Sequence, residues 1–436
     1  MTIRRTDDTW VALVGPEIEE NLSLRYLASA LQRAGVHSEL VAFNDGGRLN
    51  AVVTQILGTP RAPVLVGISM AFQWRAPDML ALAVALREGG YTGHITVGGH
   101  FATFASKEVL ADFPEVDSVC RQEAEETLVE LVGHVCAGTD WSGVSGLARR
   151  ASADVVVNGS RHVPELSTLA WPDRRGEPAA AFGHRIAPLV STRGCYANCT
   201  FCCIAAWHEQ ALPGKRYRER PLEDVADEMA SLHHDRDIDI FVFHDDNFFL
   251  PSGVKNAERM NLLADLLEAR GVRDYATVVK ARPTDVQPKA FEALKHRLHC
   301  IRAYVGIETD ADQGLETLQR WAQSKHNHRA MAEVFDPRWL AEARQVSREL
   351  GRDSMKVMRS IVERVTSGTA NSGDDAWARE QAQHLRAQDE LLGERALEIL
   401  KALEKALPHG RPMSAWGDLV ATPLQRGVAQ LAEVGT

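Results

Sequence analysis

Four cysteines are crowded into one short stretch of the chain, "RGCYANCTFCCI" at 193–204. The first three follow a C-x3-C-x2-C spacing: Cys195, Cys199 and Cys202. Closely spaced thiolates bind zinc or an iron–sulfur cluster. A structural zinc takes four ligands, and the spacing supplies three. His208 could complete a zinc site, because Cys203 directly follows Cys202 and its side chain would tend to point away.

An iron–sulfur cluster makes different use of three thiolates. A four-iron cube held by three cysteines leaves one iron open, which suits a cluster that must coordinate and reduce a small molecule. Gly194 allows a tight turn before the first cysteine, and Phe201 could cover a flat ligand. The residue types alone leave zinc and the cluster both open.

The elements around the cysteines alternate between apolar strands and helices. One strand, "APLVSTRG" (187–194), runs straight into the cysteine stretch. Three more runs are predicted as strands, at 239–249, 275–283 and 301–308, with helices at 221–234, near 253–270 and at 286–297. Four βα units with polar groups at their strand ends predict an α/β barrel.

An earlier set of strands and helices predicts a separate sheet. Its continuous apolar runs lie at 11–16, 38–43, 62–70, 94–100 and 116–120. Such runs, separated by helices, are typical of a parallel sheet covered on both faces. Ligands bind beyond the carboxyl ends of such strands. Gly98 and Gly99 lie at one of these ends and could let a ligand approach the backbone, or could simply turn the chain.

Composition limits the classes of function. A 436-residue chain with 45% apolar residues is long enough for two or three globular domains. The net charge of −10 argues against a nucleic-acid groove. Neither a signal peptide nor a membrane-length apolar run is apparent, so no membrane partner is expected. Seven cysteines, mostly in one cluster, do not resemble a disulfide framework, which favours a reducing cytoplasm.

The expected organisation has four parts. They are an N-terminal Rossmann-like domain (1–140), a linker rich in Gly, Pro, Arg and Asp (141–186), a partial barrel (187–335) and a helical C-terminal domain (336–436). The overall class is α/β. Residues 374–408 have the pattern of a long amphipathic helix or helix pair.

The cysteine stretch, after an apolar strand and before a helix, resembles the signature of the radical S-adenosylmethionine (SAM) superfamily. The resemblance implies that the three cysteines bind a [4Fe–4S] cluster whose open iron chelates SAM. It also implies reductive cleavage of SAM to a 5′-deoxyadenosyl radical, with Phe201 near the adenine. "FHDDNFF", "KARPTDV" and "YVGIETD" resemble the next strands of that barrel.

Those strands carry the remaining candidates for SAM binding: Asp245, Asp246, Asn247, Arg282 and Glu308. The carboxylates after the second strand could accept hydrogen bonds from the SAM ammonium group, or could belong to a turn or a helix cap. Arg282 could bind the SAM carboxylate or form a surface ion pair. Glu308 could hold the ribose or be an ordinary strand-end charge. Tyr304 could contact substrate or pack in the core.

The N-terminal part is similar to the cobalamin-binding domain fused upstream in one radical SAM subclass, through "TVGGHFATFASKEVLADFPEVDSVCRQEAEETLVEL". This implies cobalamin contacts from its strand-end loops: Ser69, Gly98, Gly99, His100, Gln122 and Glu123. Two features depart from the family. The D-x-H-x-x-G histidine that ligates cobalt in many such domains is absent, and a fifth barrel strand is missing near 330–337.

The resemblance implies methylation of an unactivated carbon of a natural product, another small molecule or a peptide, through SAM and methylcobalamin. It also implies an external electron donor of the flavodoxin or ferredoxin type. Alternatives are a radical rearrangement, ring formation or oxidation without methyl transfer, and an accessory protein that no longer turns over SAM. The C-terminal helices are expected to form a lid and a substrate wall. The basic run "GKRYRER" (214–220) is expected to be a solvated loop, with contact to a phosphate or an anionic substrate as the alternative.

Overall fold

Two mainly parallel sheets and one short ribbon contain the strands of the described residues. The structure is a computed structural model, and it describes residues 9–152, 154–181, 184–209, 216–306, 312–317, 325–327 and 330. All of these belong to one of the two units into which the chain divides, Met1–Val346. The helices predicted beyond residue 336, the missing barrel strand near 330–337 and Glu308 lie outside the described residues.

The N-terminal sheet has seven strands. They are β1 (Trp10–Gly15), β2 (His37–Ala42), β3 (Leu65–Ser69), β4 (His94–Gly98), β5 (Ser118–Cys120), β6 (Leu147–Ala151) and β7 (Asp154–Val157). The spatial order is β2-β1-β3-β4-β5-β6-β7; the first five strands are parallel and the last two antiparallel. The order in which the chain adds strands reverses between β1 and β3, and such a switch point creates a crevice at the carboxyl ends of these two strands.

Helices bury both faces of this sheet. They are α1 (Leu22–Arg33), α2 (Leu49–Leu57), α3 (Ala76–Glu88), α4 (His100–Phe104), α5 (Ser106–Asp112) and α6 (Glu125–Ala137). α1 and α6 pack together on one face, and α2 and α3 pack on the other. The central strands are therefore apolar along their length, with Val11, Ala12, Leu13 and Val14 all inaccessible to solvent.

The second sheet has five strands: β8 (Ala179–Ala181), β9 (His184–Leu189), β12 (Ile238–Phe243), β13 (Ala276–Ala281) and β14 (Cys300–Val305). Its order is β14-β13-β12-β9-β8, and only β8 is antiparallel to its neighbour. The ribbon consists of β10 (Thr192–Arg193) and β11 (Arg218–Glu219). The helices in this part are α7 (Cys203–Glu209), α8 (Leu222–Arg236), α9 (Gly253–Ala269), α10 (Pro288–His296) and α11 (Asp312–Thr317).

The predicted α/β class, with an N-terminal parallel sheet and a second set of βα units, is confirmed. The segment predicted as a linker, 141–186, differs from that expectation. β6 and β7 extend the N-terminal sheet as an antiparallel hairpin, and β8 adds an edge strand to the second sheet. Within the described part of the chain, no helix has the length and apolar character needed to cross a membrane.

Candidate active site

The cysteine loop, residues 194–217, leaves and re-enters the fold through the β10–β11 ribbon. Residues 194–209 and 216–217 of this loop are described. Gly194 has φ of +84°, and a Cβ at this position would lie 1.7 Å from the carbonyl oxygen of Arg216. The backbone N–H of Gly194 donates to Asp246 Oδ2 at 2.9 Å. A glycine is therefore required where the chain turns into the first cysteine.

The three cysteines of the motif lie on this loop, with Cys199 buried and Cys195 and Cys202 partly buried. A turn joins two of them, because the N–H of Cys202 donates to the carbonyl of Cys199 at 3.1 Å. Burial raises the pKa of the Cys195 thiol, and the charge of Arg282 opposes that rise. Cys202 is close enough to Cys195 to act on the same pKa.

The three thiols match the ligand set of a four-iron cube with one open iron, whereas a structural zinc takes four ligands. Among the described residues, no three Cys, His, Asp or Glu side chains lie close enough to hold a single metal ion. A cube spreads its thiolates further apart than one zinc does, since it contains four irons and four sulfides. The imidazole of His208, the alternative zinc ligand, lies beside Gly194. The three thiols remain the predicted cluster ligands.

The polar residues after β12 accept hydrogen bonds from the backbone that leads into the cysteine loop. Asp245 is buried and accepts from the N–H of Ser191 at 2.6 Å and the N–H of Thr192 at 3.0 Å. Burial raises the pKa of Asp245, and the hydrogen bond from the Ser191 hydroxyl opposes that rise. Asn247 is also buried, and its amide donates to the carbonyl of Phe249 at 3.0 Å. Asp245 and Asn247 therefore hold the turn, whereas Asp246 is exposed.

Arg282, at the end of β13, reaches the cysteine loop. Its Nε and Nη2 donate to the two carboxylate oxygens of Asp285, at 3.1 and 2.7 Å. The guanidinium stacks on the ring of Tyr196, 4.3 Å from the centroid, and donates to the Tyr196 hydroxyl. Its Nη1 is buried without a hydrogen-bond partner in the part of the chain that the structure describes. Arg282 is thus oriented beside Cys195 with one donor unused.

Two aromatic candidates are half-exposed. Phe201 has 49% of its surface accessible, on the cysteine loop between Cys199 and Cys202. Tyr304 also has 49% accessible, and its hydroxyl accepts from Nη1 of Arg302 at 3.0 Å. Tyr304 therefore does not pack in the core, which was the alternative to a contact with substrate.

The glycines after β4 are explained by packing within the chain. A Cβ on Gly99, whose φ is +102°, would lie 2.9 Å from the backbone nitrogen of Ala71. A Cβ on Gly98 would lie 3.2 Å from the carbonyl oxygen of Cys120. Gly99 therefore allows a close approach of the loop after β3, and Gly98 a close approach of the end of β5, both at the carboxyl edge of the sheet. Ser69 closes β3 there, facing Gly15 of β1.

His100 and Gln122 lie at the same edge with different surroundings. The His100 ring packs on Trp207 of α7, with centroids 4.4 Å apart. Burial lowers the pKa of His100, and Asp246 opposes that change. Gln122 has φ of 59°, and its N–H donates to Thr103 Oγ1 at 3.0 Å. Its buried amide nitrogen has no hydrogen-bond partner among the described residues. An unpaired buried donor of this kind is expected where a ligand supplies the missing acceptor.

Glu123 is engaged by arginines of the barrel. Its Oε2 accepts from Arg193 at 2.9 Å and from Arg218 at 3.2 Å. Arg218 and Arg220 are buried, and Arg220 donates to Glu228 Oε2 at 2.6 Å. The solvated loop predicted for 214–220 is therefore wrong for its described part, since these arginines have buried carboxylate partners. Sequence reasoning missed the pairing because Glu123 and Arg218 are far apart in the chain.

Two exposed aromatic rings at the crevice were not singled out from sequence. Phe72 and Trp74 follow β3, their ring centroids are 6.2 Å apart, and they are 57% and 75% exposed. Large apolar rings left open beside a crevice are typical of a surface that binds a ligand. Phe72 and Trp74 lie at the same carboxyl edge of the sheet as Gln122, which follows β5.

Two families match the chain. Residues 10–132 match the B12 binding domain, and residues 189–337 match the radical SAM superfamily. Together the matches cover more than half of the chain. The chain therefore contains a B12 binding domain followed by a radical SAM domain.

Curated relatives include methyltransferases and a cyclase. An uncharacterized methyltransferase of Pyrococcus horikoshii is 27% identical over 260 residues, covering 58% of this chain and 53% of the relative. The anaerobic magnesium-protoporphyrin IX monomethyl ester cyclase of Cereibacter sphaeroides is 27% identical over 228 residues, 49% of this chain and 35% of the relative. The hopanoid C-3 methylase of Methylococcus capsulatus is 22% identical over 422 residues, 92% of this chain and 75% of the relative.

The fold is shared with two solved enzymes. One is the cobalamin-dependent SAM radical enzyme OxsB with aqua-cobalamin and SAM bound (TM-score 0.59, 22% identity, 75% of this chain and 47% of that chain). The other is the radical SAM methyltransferase TsrM of Kitasatospora setae, with cobalamin and a [4Fe-4S] cluster (TM-score 0.59, 18% identity, 78% and 65%). The chain spans about half the length of the first curated relative, 53%.

Proposed function

We propose that this chain is a cobalamin-dependent radical SAM enzyme that methylates an unactivated carbon of a small molecule. The observation that carries the proposal is that the cysteine loop lies against the carboxyl edge of the N-terminal sheet. The cysteine loop and the carboxyl end of β5 are joined directly through Glu123 and Arg193, at 2.9 Å. A cluster on the loop and a cobalamin at the crevice would therefore share one reaction space.

The cysteine loop would hold the cluster and SAM. When bound, a [4Fe–4S] cluster supplies the electron that cleaves SAM, and cobalamin supplies a carrier for the methyl group. Cys195, Cys199 and Cys202 are the proposed ligands. Arg282, whose Nη1 is unpaired within the described part of the chain, is proposed to bind the SAM carboxylate, and the exposed Asp246 to accept from the SAM ammonium group. Phe201 would cover the adenine.

The crevice of the N-terminal sheet would hold cobalamin. Gln122 offers a buried amide that has no hydrogen-bond partner among the residues the structure describes, and Phe72 and Trp74 offer apolar rings for the flat face of a corrin. Ser69, Gly98, Gly99 and His100 shape the same edge. The corresponding loop after β1, "GPEIEENLSL", contains no histidine, so this loop would give cobalt no histidine ligand.

The remaining partners follow from this chemistry. A cluster that reduces SAM needs an external one-electron donor of the flavodoxin or ferredoxin type. We propose a small molecule as substrate and the cytoplasm as the location, because free thiols and the cluster need a reducing compartment. Neither nucleic acid nor a membrane is proposed as a partner.

Ring formation is the second candidate, because one curated relative is an anaerobic cyclase. SAM carrying a trideuterated methyl group separates the two reactions. The reconstituted chain is incubated without oxygen with this SAM, a strong reductant and a small-molecule cell fraction. Methylation yields a product that carries the deuterated methyl group. Ring formation yields 5′-deoxyadenosine and a product without deuterium, which would refute methyl transfer.

Cysteine substitutions test the cluster site. Cys195→Ala, Cys199→Ala and Cys202→Ala should each lower bound iron from about four per chain to well below one after reconstitution. Cys203→Ala is the matched control, because this exposed thiol neighbours Cys202 directly and should retain full iron. Equal iron loss in Cys203→Ala, or none in the other three, would refute the assignment.

A further inference from the structure

The ribbon at the base of the cysteine loop aligns two arginines. β10 and β11 are antiparallel, and Arg193 lies directly opposite Arg218 in their register. Residues directly opposite in an antiparallel pair project their side chains to the same face. Because Arg193 immediately precedes Gly194 and Arg218 immediately follows Tyr217, this pair brackets the whole loop.

Both arginines bind the same carboxylate of the N-terminal domain. Arg193 Nη1 donates to Glu123 Oε2 at 2.9 Å and to Glu125 Oε1 at 2.7 Å. Arg218 Nη1 donates to Glu123 Oε2 at 3.2 Å, and its Nη2 donates to Glu123 Oε1. Each oxygen of Glu123 thus has a charged donor, which favours one fixed orientation.

The pairing is closed off from solvent. The side chains of Arg218 and Glu123 are only 2% and 11% exposed. The guanidinium of Arg193 stacks on the Tyr26 ring of α1, 4.6 Å from its centroid. Burial would raise the pKa of Glu123, but Arg193 and Arg218 together bring it below its ordinary value. A buried ion pair of this kind fixes geometry, and breaking it leaves an uncompensated charge.

We propose that Glu123 is a positioning residue that locks the cysteine loop to the carboxyl end of β5. In this role it sets the separation between the two proposed cofactors and does not contact cobalamin. The inference rests on the proposed function, and it replaces the expectation that Glu123 lines the cobalamin site. One carboxylate can hold the loop because the ribbon presents both arginines on one face.

Hydrogen exchange in the full chain tests the lock without any cofactor. Glu123→Gln keeps the shape and removes the charge, so amides of 194–209 and 216–219 should exchange about ten- to a hundred-fold faster. Glu130→Gln is the matched control, because Glu130 also pairs with an arginine, Arg161, which belongs to neither the cysteine loop nor its ribbon. It should leave exchange in the loop unchanged.

Two further readouts separate the lock from other roles. The affinity for hydroxocobalamin should stay within about two-fold in Glu123→Gln, whereas a direct ligand would lose it. Arg218→Gln should increase exchange in the loop by a similar factor. The double variant Glu123→Gln/Arg218→Gln should exchange little faster than either single variant, because both substitutions remove the same interaction. Glu123→Asp, which keeps the charge on a shorter side chain, should give intermediate exchange and covers the case in which Glu123→Gln fails to fold.

The lock is overturned by unchanged loop exchange in Glu123→Gln and Glu123→Asp, or by lost cobalamin affinity with a protected loop. Neither result depends on methyl transfer. Conversely, a released loop in a chain that never consumes SAM would support the lock and contradict the proposed function.

Discussion

At the scale of single residues, the chemistry of the cysteine loop was accessible from sequence because its parts are adjacent in the chain. The C-x3-C-x2-C spacing and the preceding glycine indicate a thiolate site directly. The partner of Glu123 was not accessible, because Arg218 comes from a distant element that only the fold brings close to it. The glycine at position 99 predicted a close approach to the backbone, and in the structure the group that approaches it is the backbone of Ala71.

Gly194→Ala should destabilise the protein more than a glycine-to-alanine change does at a site where the positive φ is the only source of strain. Alanine disfavours φ of +84°, and its Cβ would also meet the carbonyl of Arg216. Gly176→Ala is the matched control, since Gly176 has φ of +92° and open space around it in the described part of the chain. We expect a loss of about 1–2 kcal/mol at Gly176 and more than about 3 kcal/mol at Gly194.

The free energy of unfolding from denaturant titration measures both losses, and bound iron after reconstitution reports on the loop itself. Equal losses for the two variants, with full iron in Gly194→Ala, would show that the close approach to Arg216 is relaxed easily.

At the scale of elements, continuous apolar runs predicted β1 to β5 and the four parallel strands of the second sheet. Such strands are buried on both faces, so their sequence carries a strong signal. β6 was missed because Arg149 and Arg150 interrupt its apolar pattern. These arginines are accommodated by carbonyl groups: Arg149 Nε donates to Ser142 at 2.8 Å, and Arg150 Nη2 donates to Pro114 at 3.0 Å.

The start of β4 should make the N-terminal sheet sensitive to acid. His94 is buried against Ser118 and Trp141, and burial lowers its pKa from 6.5 to about 4, with Asp117 opposing and Arg87 reinforcing the shift. Between these pH values the unfolded chain takes up a proton that the folded chain does not. Stability is therefore lost as the pH falls from about 6.5 to about 4, by about 3 kcal/mol in total.

Hydrogen exchange of the β4 amides at pH 7 and pH 5 measures this effect locally. His94→Gln should flatten the pH dependence, whereas His37→Gln, at an exposed site on β2, should leave it unchanged. A pH dependence that survives in His94→Gln would assign the acid sensitivity to another group.

At the scale of the whole unit, buried ion pairs join the two sheets. Arg174, in the segment predicted as a linker, donates to Glu20 after β1 and to Glu228 of α8 at 2.7 Å. Both carboxylates are almost inaccessible, at 3% and 2% exposure. The segment therefore contributes buried ion pairs that hold the two sheets together. Its Gly-, Pro- and Arg-rich composition did not indicate this role.

Arg174→Ala should destabilise the unit by about 3 kcal/mol, because it leaves two buried carboxylates with one cation fewer. Arg297→Ala is the control, since Arg297 pairs with Asp265 at the surface and should cost about 1 kcal/mol or less. Thermal unfolding of the two variants compares these losses. Similar shifts would mean that the buried network contributes no more than a surface pair.

The central claim is that this one chain holds a cluster and cobalamin together and consumes SAM. The most direct measurement is anaerobic reconstitution with iron, sulfide and hydroxocobalamin, followed by spectroscopy and SAM turnover under a strong reductant. The account predicts about four irons and about one cobalamin per chain, with SAM cleaved and the cluster lost in Cys195→Ala. Zinc in place of iron, or a cluster that never consumes SAM, would contradict it.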